Sequence, residues 1–94
     1  MTFNKINYAL VVSDAGITIE LIGPEIVEYR QGEHILQFSF CYDPPKRKNY
    51  LYPSTMYSLK HGNKVAPLTE EEKNNIIINL KTGLKVLVGD FEVA

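Results

Sequence analysis

The chain contains no tryptophan, a single cysteine and no long apolar run among its 94 residues. One cysteine, Cys41, cannot form an internal disulfide, and it excludes a zinc site built from several cysteines. No stretch approaches the roughly 20 apolar residues of a membrane-spanning helix, so we expect no membrane partner. The apolar run at residues 8–12 is shorter than the roughly 7–15 residues of a secretory signal core. We therefore expect a cytoplasmic protein.

Patterns that carry catalysis or metal binding are also missing. The six glycines stand apart from one another, so there is no glycine-rich phosphate loop. The two histidines, His34 and His61, have no second ligand two to four positions away, so we expect no metal site. Cys41 follows an alternating apolar stretch, which favours a buried small side chain over a nucleophile. We therefore predict a protein that is not an enzyme and has no cofactor.

What is present describes one ordinary folded domain. Hydrophobic residues make up 45% and charged residues 22% of the chain, and the net charge is −1. These values are close to the averages of globular domains. The length is below the roughly 150 residues that one domain usually takes, and there is no linker or repeat. We predict a single domain over residues 1–94.

The first half alternates apolar and polar residues between turn residues, which is typical of antiparallel strands. We predict strands at residues 6–12, 17–22, 25–30, 33–40 and 50–59. The alternation in the first strand places four apolar side chains on one face: Ile6, Tyr8, Leu10 and Val12. The same rule predicts that Val27 and Tyr29 share a buried face, which Leu36, Phe38 and Phe40 continue on the next strand.

The connections follow from turn chemistry and register. A two-residue loop at residues 31–32 pairs Val27 with Leu36, which brings two apolar side chains together. The same test fails at Gly23, where we predict an odd-length loop or a bulge. Two consecutive prolines predict a loop at residues 41–49, and Pro53 makes the following strand an edge or bulged strand. Residues 61–63 predict a further turn.

One segment carries a clear helix signal. Thr69 followed by Glu72 fits a capping box, in which each side chain bonds the backbone of the other residue. We predict a helix from Thr69 to about Lys81, with Gly83 as its stop. Three side chains at helical spacing are expected to face inward: Ile76, Ile77 and Leu80. Residues 84–93 are predicted to form a last strand or strand pair, with a bulge or turn at Gly89 and Asp90.

These elements predict an α+β fold. It consists of a mostly antiparallel sheet of five or six strands, beginning with an N-terminal meander, one helix in the C-terminal half, and a final strand. One helix covers only one face of a sheet. The other face is then solvated, or covered by a partner or by a second copy in a homodimer.

The main functional signal is an uneven distribution of charge and tyrosine. Residues 42–64 hold five basic residues and one acidic residue, a net charge of +4, whereas the rest of the chain carries −5. The same range contains four of the six tyrosines. Tyrosine and arginine are enriched at protein interfaces. The candidate contact residues are Tyr42, Lys46, Arg47, Lys48, Tyr50 and Tyr52.

Three interpretations of residues 42–64 stay open at this point. The range is a solvated loop beside a tyrosine-lined strand, or a surface that holds a protein partner. It is alternatively a nucleic-acid-binding surface, with cations on phosphates and rings under bases. The slightly acidic net charge of the chain ranks nucleic acid below protein.

The second half also resembles a known family. Residues 66–73 (APLTEEEK), then Ile76 and Ile77, and the closing residues 90–93 (DFEV) resemble the immunity protein 74 family of bacterial polymorphic toxin systems. The resemblance implies a small β-rich protein with an N-terminal meander, a helix that starts at the Thr-Glu-Glu sequence, and a final strand. It implies that the protein binds and neutralises a cognate toxin, and it carries over no catalytic residue.

Overall fold

A computed structural model describes residues 1–59 and 68–94 of the chain. The described elements are β1 (Phe3–Asn7), β2 (Leu10–Ser13), β3 (Thr18–Gly23), β4 (Ile26–Gln31), β5 (His34–Asp43), β6 (Lys48–Leu59), α1 (Glu70–Val88) and β7 (Glu92–Val93). The strands form one sheet in chain order, antiparallel throughout except for the parallel pair β6–β7. This confirms the predicted α+β class, with seven described strands instead of five or six. The turn predicted at residues 61–63 lies outside the described residues.

The helix divides the sheet into two unlike faces. We call the face that packs against α1 the inner face and the opposite one the outer face. The buried core joins the inner face to the helix, and its members are Phe3, Val11, Ile17, Ile19, Val27, Tyr29, Leu36, Phe38, Phe40, Leu51, Ile76, Leu80, Leu84 and Leu87. Each large side chain buried there contributes about 1.5–3 kcal/mol. Within the described ranges, no helix is long and apolar enough to cross a membrane.

The predicted single strand at residues 6–12 is wrong, because the chain reverses at Tyr8. The side chain of Asn7 accepts a hydrogen bond of 2.8 Å from the backbone N–H of Ala9, a local turn that competes with an extended strand. Tyr8 is therefore 85% exposed and Ile6 60% exposed. The buried residues of β2 are Val11 and Ser13, whose parity is opposite to that of the predicted apolar face.

The central hairpins keep their predicted faces but shift in register. Tyr29 pairs with Leu36, and Val27 pairs with Phe38, so each contact lies two residues from its predicted position. The loop is residues 32–33, and Gly32 has a φ of +59°, which a type II′ turn requires at its first position. Because side chains alternate with a period of two, a shift of two residues leaves the buried face unchanged.

Both predicted strand irregularities are present. The pairing of β3 with β4 shifts between Leu21 and Gly23, which confirms the bulge at the glycine. The pairing of β5 with β6 shifts between Gln37 and Ser39, whose partners are Tyr57 and Tyr52. Pro53 lies within this interruption of the pairing, so β6 is the bulged strand that the proline predicts.

The loop predicted at residues 41–49 is too long. Strand β5 continues to Asp43 and β6 begins at Lys48, because the two prolines occupy only the turn between them. The turn is closed by Arg47, whose backbone N–H donates to the Pro44 carbonyl at 3.2 Å and whose φ is +52°. The candidate residues at positions 42 and 48 therefore lie on strands rather than in the predicted loop.

The helix begins as predicted. The hydroxyl of Thr69 accepts from the backbone N–H of Glu72 at 3.1 Å, and the Glu72 carboxylate accepts from the backbone N–H of Thr69 at 3.0 Å. These bonds complete the capping box and lower the pKa of Glu72, since they favour its charged form. Ile76 and Leu80 are buried as predicted, and Ile77 is half-buried.

The predicted helix stop at Gly83 is wrong. The helix continues to Val88 and is capped by Gly89, which has a φ of +80°. A Cβ atom on Gly83 would lie 2.8 Å from Phe3 Cε1 and closer still to Ile19 Cδ1. Glycine at this position therefore lets the helix approach the sheet, and residues 84–88 are helical instead of extended.

Candidate functional site

Three of the six candidate contact residues share the outer face of the sheet. Lys48, Tyr50 and Tyr52 occupy alternate positions along β6, and Leu51 between the two tyrosines is fully buried on the inner face. Side chains at alternate strand positions project from the same face. The regular part of β6 therefore presents one lysine and two tyrosines on the side away from the helix.

Neighbouring groups hold these tyrosines in place. The Lys46 ammonium lies 5.9 Å from the ring centroid of Tyr50, which is within cation–π range. Cys41 Sγ lies 3.8 Å from the Tyr52 hydroxyl, and the hydrogen bond and charge interaction between these two groups raise the pKa of Tyr52. Cys41 is half-buried on the outer face, so its prediction as a buried side chain is wrong. We call Lys46, Lys48, Tyr50 and Tyr52 the tyrosine–lysine surface.

The other two candidates lie elsewhere. Tyr42 pairs with Asn49 and has the same parity as buried Phe40, so it belongs to the inner face, where it is 54% exposed near the end of the sheet. Arg47 lies in the turn and borders a hollow of about 290 Å³ together with Asp90. The structure therefore places Tyr42 on the inner face and Arg47 in the turn that precedes β6, where Lys48 and Glu92 line the same hollow.

The local charge differs from the charge of the linear segment. Lys48 Nζ lies 2.7 Å from Glu92 Oε1; the contact raises the pKa of Lys48 and lowers that of Glu92. Asp43 is the strand partner of Lys48 and adds a second carboxylate. Lys60 and Lys64, which contribute to the predicted +4, lie outside the described residues. The basic turn is thus partly neutralised by a residue from the far end of the chain.

An ionic band crosses the outer face beside this surface, and sequence reasoning missed it. Glu20 and Glu28 face each other across β3 and β4, an unfavourable arrangement for two like charges. Arg30 offsets it, with nitrogens 3.3 Å from Glu20 and 3.5 Å from Glu28. Gln37 donates to Glu28 at 3.3 Å. The sequence shows that the residues of this band occupy the polar positions of alternating strands. The ion pairs and hydrogen bonds between them depend on the observed register.

A separate groove of about 560 Å³ lies between the β4–β5 turn and the first half of α1. The hydroxyl of Tyr29 donates to Gln31 at 2.6 Å and accepts from the Asn79 amide at 3.4 Å, and burial raises its pKa. His34 lines the groove opposite Glu72. Over residues 1–59 and 68–94, no three metal-ligating side chains come together.

Two surfaces of the described chain therefore offer accessible functional groups. The tyrosine–lysine surface combines aromatic area with cations, and the groove is lined mainly by amide and carboxylate groups. Of these, only the first contains the candidate contact residues predicted from the sequence. A comparison with protein-family models, curated proteins and solved structures finds no match to this chain.

Proposed function

We propose that this chain is a non-catalytic binding protein that contacts a protein partner through its tyrosine–lysine surface. The observation that carries the proposal is the alternation of Lys48, Tyr50 and Tyr52 on the sheet face that the helix leaves uncovered. Tyrosine combines a large apolar ring with a polar tip and few rotatable bonds, so it forms contacts at a low cost in conformational entropy.

The charges of the surface define the chemistry of the partner. Lys46 forms no ion pair with any residue from 1–59 or 68–94, whereas Lys48 already pairs with Glu92. A matching partner surface therefore presents a carboxylate to Lys46 and apolar or aromatic groups to the two tyrosine rings. Such charge complementarity favours the rate and specificity of association.

The specific form of this proposal is that the partner is a bacterial toxin and that the chain is its cytoplasmic immunity protein. The support is the resemblance of residues 66–73 and 90–93 to the immunity protein 74 family. Neutralisation by binding needs a rigid scaffold and a complementary surface, and it needs no catalytic group. A strand of a buried-core sheet provides that rigidity for Tyr50 and Tyr52.

A co-expression assay tests this proposal. The chain is expressed in a bacterial host together with each protein encoded next to its gene, and growth is measured. We expect one neighbour to inhibit growth and the chain to restore it. The double variant Tyr50→Ala/Tyr52→Ala is expected to lose this protection, whereas the control Tyr8→Ala, an exposed tyrosine on the far β1–β2 turn, retains it. Absence of a toxic neighbour, or equal protection by both variants, would overturn the proposal.

The alternative is that the same surface binds single-stranded nucleic acid. Lys46 over the ring of Tyr50 combines the cation and the stacking platform that such proteins use. The carboxylates of Asp43 and Glu92 beside Lys48 oppose a phosphate backbone. Fluorescence anisotropy with a labelled oligonucleotide decides the matter, since binding through phosphates weakens steeply as salt rises. No binding at low salt eliminates this alternative.

A further inference from the structure

The described sheet ends at β7, a short strand with a free edge. Among residues 1–59 and 68–94, strand β7 pairs only with β6, through Tyr50 with Glu92 and Leu51 with Val93, and it is last in the strand order. A strand at the edge of a sheet presents unpaired backbone N–H and C=O groups on its outer side. The hydrogen bonds between β7 and β6 determine which residues present these unpaired groups.

The direction of the backbone groups is fixed by one hydrogen bond. The N–H of Ala94 donates to the Leu51 carbonyl at 2.8 Å, so position 94 points its backbone toward β6. Alternate residues of a strand point their backbone groups to opposite sides. Glu92 therefore faces β6 as Ala94 does, whereas Val93 directs its N–H and C=O groups away from β6. Phe91 directly precedes the strand, and an added strand that extends β7 by one residue would use its backbone in the same way.

Phe91 and Val93 also border a hollow that carries two lysines. The hollow has a volume of about 230 Å³, and its lining includes Phe91, Val93, Lys81 and Lys85. In the part of the chain that the structure describes, neither lysine forms an ion pair. Asp90 also borders the hollow, so the three ionisable side chains there leave a net positive charge.

The spacing of the lysines matches an extended chain. Lys81 and Lys85 are one helical turn apart, which is a rise of about 6 Å. Alternate residues of a β-strand are about 6.6 Å apart and project on the same side. An added strand that runs alongside this part of α1 would therefore place two alternate acidic residues at the spacing of the two lysines.

We propose that the free edge of β7 takes up an extended acidic segment of a protein partner as an added strand. The backbones of Phe91 and Val93 form the ladder with it, and Lys81 and Lys85 bind its alternate carboxylates. Strand addition of this kind takes affinity from main-chain hydrogen bonds and specificity from side chains. The site uses residues outside the tyrosine–lysine surface. A negative result for this proposal therefore leaves the proposed function unaffected, and the reverse also holds.

Amide hydrogen exchange measured by NMR tests the proposal. The probe is a blocked hexapeptide of alternating Glu and Thr, and the matched probe has Lys in place of Glu. In the free protein we expect fast exchange at Phe91 and Val93. The acidic peptide is expected to slow both amides by about tenfold or more, which is the effect of 1.4 kcal/mol of added protection. The basic peptide is expected to leave them unchanged.

Charge-reversal variants separate specific binding from a general effect. Lys81→Glu/Lys85→Glu is expected to abolish the protection, whereas Lys5→Glu on β1, at the opposite edge, is expected to keep it. The dispersion of the NMR spectrum shows whether each variant is folded. Three results would each overturn the proposal: a Val93 amide that is already protected in the free protein, equal protection by both peptides, or no protection at millimolar peptide. The last result would mean that the short strand and its lysines only guard the edge.

Discussion

The two faces of the sheet are built from the same strands and differ in almost every physical property. On the inner face, side chains such as Tyr29, Leu36 and Leu51 are fully buried against one another and the helix. The outer face carries Arg30, which is paired with the carboxylates of Glu20 and Glu28. It also carries the half-buried Leu10 and the tyrosines of β6. Packing therefore determines the residues of the inner face, whereas the outer face is free to carry polar and aromatic groups for binding.

The comparison also shows why the functional hypotheses concern only one face. Where a side chain is fully buried, its identity is explained by the core, because even one methylene matters in a close-packed interior. Tyr50 and Tyr52 have no such explanation, since the helix does not cover them. Four measurements test how far this contrast between the faces holds.

The largest expected effect comes from truncating one leucine on each face. Leu36→Ala on the inner face is expected to lower the free energy of unfolding by about 2–5 kcal/mol, because it leaves a cavity in the core. Leu10→Ala on the outer face is expected to cost less than half as much, because Leu10 is only half-buried. Urea denaturation monitored by circular dichroism measures both. Equal losses would mean that the outer face is covered in solution.

The next effect concerns the contact of helix and inner face at Gly83. A Cβ atom there meets Phe3 and Ile19, and overpacking a core costs about 1–3 kcal/mol. The gain in helix propensity from Gly to Ala is only about 1 kcal/mol. We therefore expect Gly83→Ala to destabilise the protein by up to about 2 kcal/mol in thermal unfolding. Thr82→Ala, at the exposed neighbouring position, is the control and should be close to neutral; stabilisation by Gly83→Ala would contradict the close approach.

A smaller effect is expected from the ionic band of the outer face. Arg30→Gln leaves Glu20 and Glu28 facing each other without a cation. Because these side chains are partly solvated, the loss should be below about 1 kcal/mol, and it should shrink as salt is added. Urea denaturation at low and high salt measures it, with Lys73→Gln as a control on the helix. A loss of unfolding free energy as large as that of Leu36→Ala would contradict the expected difference between the two faces.

The smallest effect is the pH dependence of the Lys48–Glu92 pair. The folded state lowers the pKa of Glu92 below 4.5 and raises the pKa of Lys48 above 10.5. The stabilisation is therefore present between these values and is lost as pH falls through the folded pKa of Glu92 or rises through that of Lys48. We expect the stability difference between the protein and Lys48→Gln to shrink as pH falls below 4.5. A stability difference that stays constant as pH falls far below 4.5, until the protein unfolds in acid, would contradict this assignment.

The candidate site was only partly predictable from residue patterns. Tyr50 and Tyr52 share a face because they lie two positions apart in one strand, and this parity is visible in the sequence. Tyr42 falls on the inner side because β5 pairs with β6 as far as Asp43, so that Tyr42 lies in a strand, with the parity of Phe40, and not in the predicted loop. The neutralisation of Lys48 was invisible for the same reason, because Glu92 is 44 positions away in the chain.

The features that could be predicted correctly from the sequence depend on local interactions. The capping box at Thr69 needs only residues within one helical turn, and the bulge at Gly23 and the buried faces of β4 and β5 follow from a period of two. Each of these features was predicted and is present. A shift in register of two residues did not disturb them, because it preserves the parity of every side chain.

Tertiary structure alone decided the features that depend on contacts between distant parts of the chain. The helix passes Gly83 because Phe3 and Ile19 occupy the space where a side chain would lie. The apolar residues at positions 6–12 divide into two strands because Val11, not Val12, reaches the core. No pattern within a short window encodes which distant residue fills a given space, so these outcomes appear only when the strands and the helix pack together.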